Sequence, residues 1–361
     1  MKLLFVITGL GMGGAENQVV NLADKLSNKG YDVCISYILE PEIVIPKSKN
    51  IKLIWLGGDK TLSGMIKAYF NLVKLIKTFK PSIVHSHMFH ANIITRFTKI
   101  LTNIPKLICT AHSKNEGGKI RMFLYRCTNF LGDFFTNVSQ EAVQTFEEKN
   151  AVKKNQMIAM HNGIDTNKFL FNQESRDILR KELKIENKKV FISIGRFDEA
   201  KDYPNLLNAF SIFYKKYKDI HLLIIGDGNL KTSIESMIIN LNIEESVTLL
   251  GIRKDVEKFL SASDIFVLSS AWEGFGLVVA EAMACERIVV ATDCGGVREV
   301  IDNCGFLIEP KNSEFLAETM QKAYFLNEKS AINIGNKARK RILEKYSLDN
   351  VVSLWEDIYK N

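Results

Sequence analysis

Glu273 and Glu281, two carboxylates eight residues apart, are the residues of this sequence best suited to hold a polyhydroxylated ligand. Gly274 and Gly276 follow the first carboxylate, and a helix is predicted to begin directly after them. Backbone amides at a helix start bind anions, because they lack acceptors within the helix. Acceptor carboxylates beside an anion site suit a ligand with hydroxyl groups and a phosphate. On this stretch alone, an acid near a helix start and a solvated second glutamate are an equally good interpretation.

The edge of a parallel sheet has to position these side chains. The apolar run 264–270 predicts a buried strand, and 277–286 predicts the helix that follows it. Glu273 then lies on the loop at the carboxyl end of the strand, and Glu281 lies about one turn into the helix. Ligands of open α/β sheets bind at this edge.

Two cations lie on a second predicted loop of the same kind. Arg196 and Lys201 follow the strand predicted over 189–195. A forked guanidinium and a mobile ammonium at the carboxyl end of a strand are able to grip a diphosphate. Surface pairing with the neighbouring Asp198 and Asp202 is the simpler alternative, and the loop by itself favours it slightly.

A glycine turn follows the first predicted strand, 2–9. Gly9, Gly11 and Gly14 match the G-x-G-x-x-G spacing of a dinucleotide site, and Glu40 stands near the end of the second strand, where such a site needs an acid. A glycine turn before a helix lets the backbone approach a phosphate, and this holds for nucleotide sugars as well as for dinucleotides. An NAD-dependent oxidoreductase is therefore one hypothesis.

Four histidines form the last group of candidates: His85, His87, His90 and His112. His85 and His87 alternate on one predicted strand and share a face, but the spacing does not supply a complete set of metal ligands. His112 ends the strand predicted over 106–111, where it is suited to hydrogen bonding or proton transfer. A structural histidine is an equally good interpretation.

The composition is that of an ordinary globular protein. The 361 residues exceed one typical core, and 46% hydrophobic and 25% charged residues are usual values. The net charge of +7 suits an anionic membrane surface or a phosphorylated substrate, and no basic run with interleaved aromatics points to nucleic acid.

No apolar run reaches the roughly 18 residues of a membrane span, and the first residues predict a strand instead of a signal peptide. Six cysteines without a C-x-x-C pair indicate buried thiols in a reducing cytoplasm.

Strand and helix patterns alternate along the chain, which predicts an α/β fold of two doubly wound parallel sheets in tandem. A first domain, 1–166, is followed by a polar linker, 167–188, and a second domain, 189–340. The turn Asn162–Asp165 marks the exit from the first domain, and 341–361 predicts a terminal helix that packs on that domain. The strands are predicted at 2–9, 32–39, 51–56, 83–87, 106–111, 134–138, 157–161, 189–195, 221–226, 247–250, 264–269, 288–292 and 305–309.

Together these motifs resemble the retaining glycosyltransferases of family 4, the group 1 glycosyltransferases. The resemblance extends over nearly the whole chain, and its most specific part is the stretch from Glu273 to Glu281. The other matching parts follow in order: Met12–Glu16, His112, Asn162–Asp165, Gly195-Arg196 with Lys201, and Gly226-Asp227-Gly228. The resemblance implies the GT-B architecture, with two facing Rossmann-like domains of doubly wound parallel sheet and C-terminal helices that bridge back. The N-terminal domain would bind the acceptor and the C-terminal domain the nucleotide sugar.

The resemblance also implies roles for the matching residues. The donor diphosphate would be approached by Gly13 and Gly14 and clamped by Arg196 and Lys201. Glu281 would accept hydrogen bonds from the ribose hydroxyls. Glu273 would contact the hydroxyls of the donor sugar, and His112 would lie near the transferred sugar. The backbone of Ile252 would contact the base. The sugar and phosphate site would be completed by the backbone amides of Phe275, Gly276 and Leu277.

The implied reaction is retaining transfer of a hexose-type sugar from a nucleotide sugar, with UDP favoured over GDP. Fixed cations and helix amides would stabilise the departing diphosphate, so we expect no metal and no cofactor. In a front-face mechanism the leaving phosphate takes the acceptor proton, and a covalent route through a carboxylate is the alternative.

The implied acceptor is a saccharide, expected to be lipid-linked as in the synthesis of lipopolysaccharide O-antigen or capsule. Basic, apolar stretches at 62–80 and 119–135 could lie on the inner face of the cytoplasmic membrane, although core-facing helices with a solvated basic face are the simpler interpretation. The functional alternatives are the NAD-dependent oxidoreductase, another GT-B enzyme such as an epimerase or phosphorylase, and an inactive sugar-binding relative.

Overall fold

The computed structural model describes residues 1–114 and 116–360 and divides the chain into two compact units. The first unit holds Met1–Gly163 and the C-terminal segment from Leu348, and the second holds Ile164–Ser347. Each unit is built on its own parallel sheet with interleaved helices. The predicted α/β class with two doubly wound sheets is confirmed.

Seven parallel strands form the sheet of the first unit. They are β1 (Lys2–Leu10), β2 (Asp32–Glu42), β3 (Lys52–Trp55), β4 (Ile83–His87), β5 (Lys106–Ala111), β6 (Phe134–Asn137) and β7 (Met157–Ala159). Their order is β3-β2-β1-β4-β5-β6-β7, so the winding reverses between β1 and β4. The crevice at such a reversal is where doubly wound sheets bind ligands.

The helices of this unit cover both faces of the sheet. They are α1 (Gly14–Asn28), α2 (Leu62–Phe79), α3 (Phe89–Leu101), α4 (Lys119–Thr128) and α5 (Gln140–Glu148). Local sequence sets their ends: the hydroxyl of Thr61 accepts the amide of Gly64 at the start of α2, and α2 ends two residues before Pro81. One apolar core lies under α2 to α5 and another under α1.

Six parallel strands form the sheet of the second unit. They are β8 (Lys189–Ile194), β9 (Ile220–Ile225), β10 (Val247–Leu249), β11 (Ile265–Leu268), β12 (Ile288–Thr292) and β13 (Phe306–Ile308), in the order β10-β9-β8-β11-β12-β13. The helices are α6 (Gln173–Glu182), α7 (Tyr203–Lys216), α8 (Lys231–Asn240), α9 (Val256–Ala262), α10 (Leu277–Ala284), α11 (Val297–Ile301), α12 (Ser313–Tyr324) and α13 (Glu328–Arg341). Strands such as β9 are buried along their whole length, because helices cover both faces of a parallel sheet.

The segment 167–188 is not the separate linker that its polar sequence predicts. It belongs to the second unit, where α6 packs on α9. Arg176 and Arg180 of α6 pair with Asp264 at 2.6 and 3.3 Å. They also donate to the backbone carbonyls of Ser261 and Ala262 at the end of α9. A charged helix can pack here because its guanidinium groups are satisfied where they are buried.

The second unit also extends beyond the predicted boundary at 340. Ile342–Tyr346 continues α13 as a π-helical turn, and the amide of Ile164 donates to the carbonyl of Tyr346 at 2.8 Å. The last helix, α14 (Leu348–Lys360), belongs to the first unit and buries Trp355 and Tyr359 in the core under α1.

None of the six cysteines, all of which the structure describes, is in a disulfide bond, and only Cys127 of them is exposed. No helix among residues 1–114 and 116–360 is long and apolar enough to cross a membrane.

Candidate functional site

Two loops at neighbouring strands of the second unit bring together Lys201 and Glu273. β8 and β11 are adjacent, and the loops that leave their carboxyl ends carry these two residues. The Nζ atom of Lys201 lies 2.5 Å from Oε1 of Glu273, and both side chains are largely buried. A short, shielded ion pair at the carboxyl edge of a parallel sheet is a fixed and oriented pair of charges.

Two serines that the sequence analysis missed hold this pair in place. Ser270 donates its hydroxyl to Oε1 of Glu273 at 2.8 Å, and Ser269 donates to the carbonyl of Lys201 at 2.8 Å. Both hydrogen bonds of the Glu273 carboxylate therefore go to Oε1. Within the part of the chain that the structure describes, Oε2 accepts no hydrogen bond. The only sequence signal of the two serines is that they form a polar pair at the end of an otherwise apolar strand.

Glycines allow the backbone segments at this edge to approach closely. A Cβ atom on Gly226 would lie 1.9 Å from the carbonyl oxygen of Gly195, and one on Gly228 would lie 2.5 Å from that of Phe197. The side chain of Lys201 lies over Gly195, where a Cβ atom would lie 3.0 Å from the Lys201 Cδ and Cε atoms. No other residue type fits at Gly226, and the alkyl chain of Lys201 needs the space above Gly195.

The start of α10 lies in the same loop region as Glu273. Gly276 caps the helix with φ of +83°, a left-handed conformation that favours glycine, and Leu277 is the first helical residue. Phe275 is buried, and its ring lies 5.6 Å from that of Tyr346. Gly295 packs against the backbone of Glu273, because a Cβ atom on Gly295 would lie 2.0 Å from the carbonyl oxygen of Glu273. The first turn of α10 thus presents its amides from a fixed loop.

Arg196 is separate from the ion pair of Lys201. Its Nε atom lies 2.6 Å from Oδ2 of Asp198, and its side chain is 69% exposed. This is the surface pairing that the loop sequence favours. An exposed side chain with one weak partner can reorient at little cost, so Arg196 remains available to an anionic ligand.

Glu281 of α10 has an unusual protonation equilibrium. Burial raises the pKa of its carboxyl to about 8, the nearby Lys168 opposes this shift, and the carboxylate of Glu257 adds to it. Its carboxyl makes no side-chain hydrogen bond among residues 1–114 and 116–360. A carboxyl that is desolvated without hydrogen-bond donors is prepared for a ligand that brings donors with it.

Ile252 lies beyond the end of β10 and is exposed. The preceding Gly251 has φ of +65°, and its carbonyl accepts the amide of Gly226 at 2.9 Å. This hydrogen bond ties the loop that follows β10 to the loop that follows β9. The backbone of Ile252 therefore lies at the same sheet edge as Lys201 and Glu273.

The glycine turn of the first unit follows β1 and starts α1. Gly13 is the residue before the helix and Gly14 is its first residue. The carboxylate of Glu16 folds back over the turn, because a Cβ atom on Gly13 would lie 2.5 Å from Oε2 of Glu16. The expected approach of this backbone to a phosphate remains a prediction.

His112, also in the first unit, lies 3.0 Å from the buried His87, measured from Nε2 to Nδ1. Burial lowers the pKa of His112 to about 4 and that of His87 well below its usual value, so both rings are neutral at physiological pH. The described residues include no group of three or more His, Cys, Asp and Glu side chains that could hold a metal ion.

Comparison with known proteins decides the family. Residues 174–341 match the model of the group 1 glycosyl transferases, and residues 12–168 match the model of glycosyltransferase family 4. The chain belongs to the family 4, group 1 glycosyltransferases. The match over the first half begins at Met12 and includes Gly13 and Gly14, so this family assignment replaces the oxidoreductase hypothesis for the glycine turn.

Individual relatives agree with the family assignment. This chain is 29% identical over 317 residues to an uncharacterized glycosyltransferase of Methanocaldococcus jannaschii. The match covers 79% of this chain and 76% of the relative. The chain is 26% identical to UDP-Gal:alpha-D-GlcNAc-diphosphoundecaprenol alpha-1,3-galactosyltransferase of Escherichia coli, over 81% of this chain and 79% of that one. A crystal structure of Anabaena HepE in complex with UDP superposes with a TM-score of 0.86 at 19% identity, over 100% of both chains. The fold is therefore GT-B.

Proposed function

We propose that this glycosyltransferase retains the anomeric configuration and moves a hexose-type sugar from a UDP-sugar to a lipid-linked saccharide. The observation that carries the proposal is the 2.5 Å pair of Lys201 and Glu273 beside the start of α10. The name of the Escherichia coli relative supports both substrates, because it states a UDP-sugar donor and a diphosphoundecaprenol-linked acceptor. The Anabaena structure contains UDP. A GDP-sugar is the second choice of donor.

Lys201 and Glu273 can bind different parts of the donor. A lysine ammonium has three N–H donors, and only one is used by Glu273. The other two can reach oxygens of the donor diphosphate. Because Oε1 of Glu273 accepts from both Lys201 and Ser270, its Oε2 is left for a sugar hydroxyl. We assign the diphosphate to Lys201, Arg196 and the first amides of α10, and the sugar to Glu273.

This arrangement lowers the activation barrier of sugar transfer, because its positive groups stabilise the negative charge that develops on the leaving diphosphate. When the bond between the anomeric carbon and the diphosphate breaks, negative charge builds on the phosphate oxygens. Lys201 is already ionised and oriented by Glu273, so little reorganisation is needed when that charge forms. In the front-face mechanism, the acceptor oxygen bonds to the same face of the anomeric carbon, and its proton passes to the leaving phosphate oxygen. We propose that these groups act without a bound metal.

Replacement of Arg196 by alanine tests the clamp. We expect Arg196→Ala to lower turnover by about 10²-fold, since one cationic donor to the developing charge is lost. Nucleotide release from a panel of UDP- and GDP-sugars measures this. Arg298→Ala is the matched control, because Arg298 is equally exposed at 69% and pairs with Asp293 in the same unit. Equal turnover of the two variants would contradict the clamp.

A membrane surface is the proposed location of the acceptor. Exposed apolar side chains project from α2 and from the region of α4, two helices that both pack on α3. We call them the apolar face: Leu62, Ile66, Phe70, Ile120, Phe123 and Phe130. Exposed basic residues lie among them: Lys67, Lys74, Lys119 and Arg126. Simple core-facing helices would bury large apolar side chains of this kind, whereas a helix at an anionic bilayer exposes them beside cations. We propose that the protein works in the cytoplasm at the inner face of the membrane.

A further inference from the structure

Two groups of hydrogen-bonded rings lie next to each other in the core of the first unit, one around His85 and one that joins His87 to His112. Both nitrogens of His85 have partners, with Nδ1 2.8 Å from the Tyr359 hydroxyl and Nε2 2.7 Å from the Thr110 hydroxyl. His87, two residues along the same strand, differs. Its Nδ1 lies 3.0 Å from Nε2 of His112, while its Nε2 is buried without a partner among the described residues.

The unpartnered nitrogen limits the possible arrangements of protons. Both rings are neutral, so each carries one proton, and one proton lies between His87 and His112. If His112 donated that proton, His87 would carry its own proton on Nε2, as a buried N–H group without an acceptor. If His87 donates from Nδ1, its Nε2 is only a lone pair without a donor. Buried N–H groups without acceptors are the rarer and costlier defect in proteins.

We propose that His87 is a positioning residue that donates from Nδ1 to His112 and thereby holds His112 as its Nδ1–H tautomer. His87 is itself held in one orientation, because its ring packs on those of His85 and Phe5 with centroids 4.0 and 5.8 Å away. His112 then presents a fixed N–H donor at its other nitrogen. Within the described residues that nitrogen has no hydrogen-bond partner, but His112 is only partly buried, so its N–H is not closed off from solvent as one on Nε2 of His87 would be.

The tautomer determines what His112 can do in the transfer. A neutral ring with a proton on Nδ1 can only donate a hydrogen bond from that nitrogen, because it has no free lone pair on that side to accept a proton. His112 is therefore a hydrogen-bond donor and not a general base. This consequence rests on the proposed function, whereas the tautomer itself does not.

Nitrogen-15 NMR of the histidine rings tests the tautomer directly. In the full-length protein labelled at its six histidines, a protonated ring nitrogen and a bare one resonate far apart. His112→Gln and His87→Asn variants assign the signals. We expect His112 to have a protonated Nδ1 and a bare Nε2, and to change this pattern in His87→Leu. A protonated Nε2 of His112 in the unaltered protein, or an unchanged pattern in His87→Leu, would overturn the proposal.

Kinetics separate positioning from general destabilisation. We expect His87→Leu to lower kcat by about tenfold while KM for the sugar nucleotide changes little, because the lost orientation matters most as charge develops. Asparagine places an amide donor near the position of Nδ1, so His87→Asn should restore most of kcat. His221→Leu controls for loss of a buried histidine, since His221 bonds only Thr248 in the second unit. A loss in His87→Asn as large as in His87→Leu would contradict the donor role. If the protein transfers no sugar at all, the proposed function fails, but the NMR result still decides the tautomer.

Discussion

Lys201, Ser270 and Glu273 show which part of the site the sequence could predict. The apolar run 264–270 and the strand over 189–195 placed Lys201 and Glu273 at carboxyl ends of strands. Nothing in the sequence stated that these strands are neighbours, because β9, β10 and three helices intervene along the chain. Ser270 carried no signal of its own, since a serine at the end of a strand is common. Its role follows only from the 2.8 Å hydrogen bond.

Glu281 gives the clearest residue-scale prediction. Its pKa of about 8 means that the carboxyl is protonated at neutral pH in the free protein. The family resemblance implies that ribose hydroxyls donate to the ionised form, and on that assignment binding has to release a proton. We therefore expect the Kd for a UDP-sugar to fall by about tenfold for each pH unit between pH 6 and 8 and to level off above that. Isothermal titration calorimetry in buffers of different ionisation enthalpy measures both Kd and proton release.

A matched variant isolates the contribution of Glu281. Glu281→Gln keeps an acceptor oxygen but cannot ionise, so its affinity should be weaker at pH 8 and independent of pH. A UDP-sugar is suitable because its diphosphate does not titrate in this range. An affinity of the unaltered protein that is constant or falls from pH 6 to 8 would contradict the ribose assignment.

At the scale of elements, the sequence patterns predicted all thirteen strands that the structure describes, but the charged segment 167–188 was misjudged. α6 was predicted as part of a linker, because it is polar and has few apolar positions. Its guanidinium groups are instead satisfied by Asp264 and by backbone carbonyls at the end of α9. Such pairing depends on residues about 85 positions away, which no local pattern reveals.

Gly276 links the backbone of α10 to donor binding. Alanine at this position has to adopt φ of +83°, and its Cβ atom would lie 2.9 Å from a methyl group of Val297. We expect Gly276→Ala to lower Tm and to weaken UDP binding, because the first turn of α10 must shift. Differential scanning fluorimetry and calorimetry measure the two effects.

Gly30 provides the control for this substitution. Its φ of +89° imposes the same backbone penalty, about 1–2 kcal/mol, but nothing lies within 4 Å of its Cβ position. Gly30→Ala should therefore lower Tm less and leave UDP binding unchanged. Equal UDP affinity in both variants would show that the start of α10 does not contact the nucleotide.

At the scale of the whole molecule, the exposed apolar face of the first unit predicts membrane binding. The protein should float with vesicles that contain anionic lipid at low ionic strength, and less at high salt. Substitution of Ile120, Phe123 and Phe130 by serine should abolish flotation. The control is a triple serine variant at Ile178, Phe325 and Ile332, which are similarly exposed in the second unit. Flotation that is equal in both variants, or absent in the unaltered protein, would contradict the membrane proposal.

The boundaries of the two units differ from those that the sequence predicted. The sequence predicted two sheets, and both exist, but the second unit reaches Ser347 and the chain returns to the first unit only with α14. Trp355 and Tyr359 pack there in the core under α1. The sequence predicted that a terminal helix over 341–361 packs on the first domain, but Ile342–Tyr346 continues α13 in the second unit and only α14 belongs to the first.

The central claim is that the second unit binds a nucleotide sugar through Glu281. The most direct measurement is a thermal-shift panel of UDP, GDP, ADP, CMP and NAD on the unaltered protein and on Glu281→Ala. The control is Glu235→Ala, which removes an exposed carboxylate of α8 in the same unit. A ligand at 100 times its Kd adds about 2.7 kcal/mol of stability, which is readily detected. We predict a shift with UDP that Glu281→Ala abolishes and Glu235→Ala keeps. A shift with NAD alone, or a UDP shift that survives in Glu281→Ala, would contradict the account.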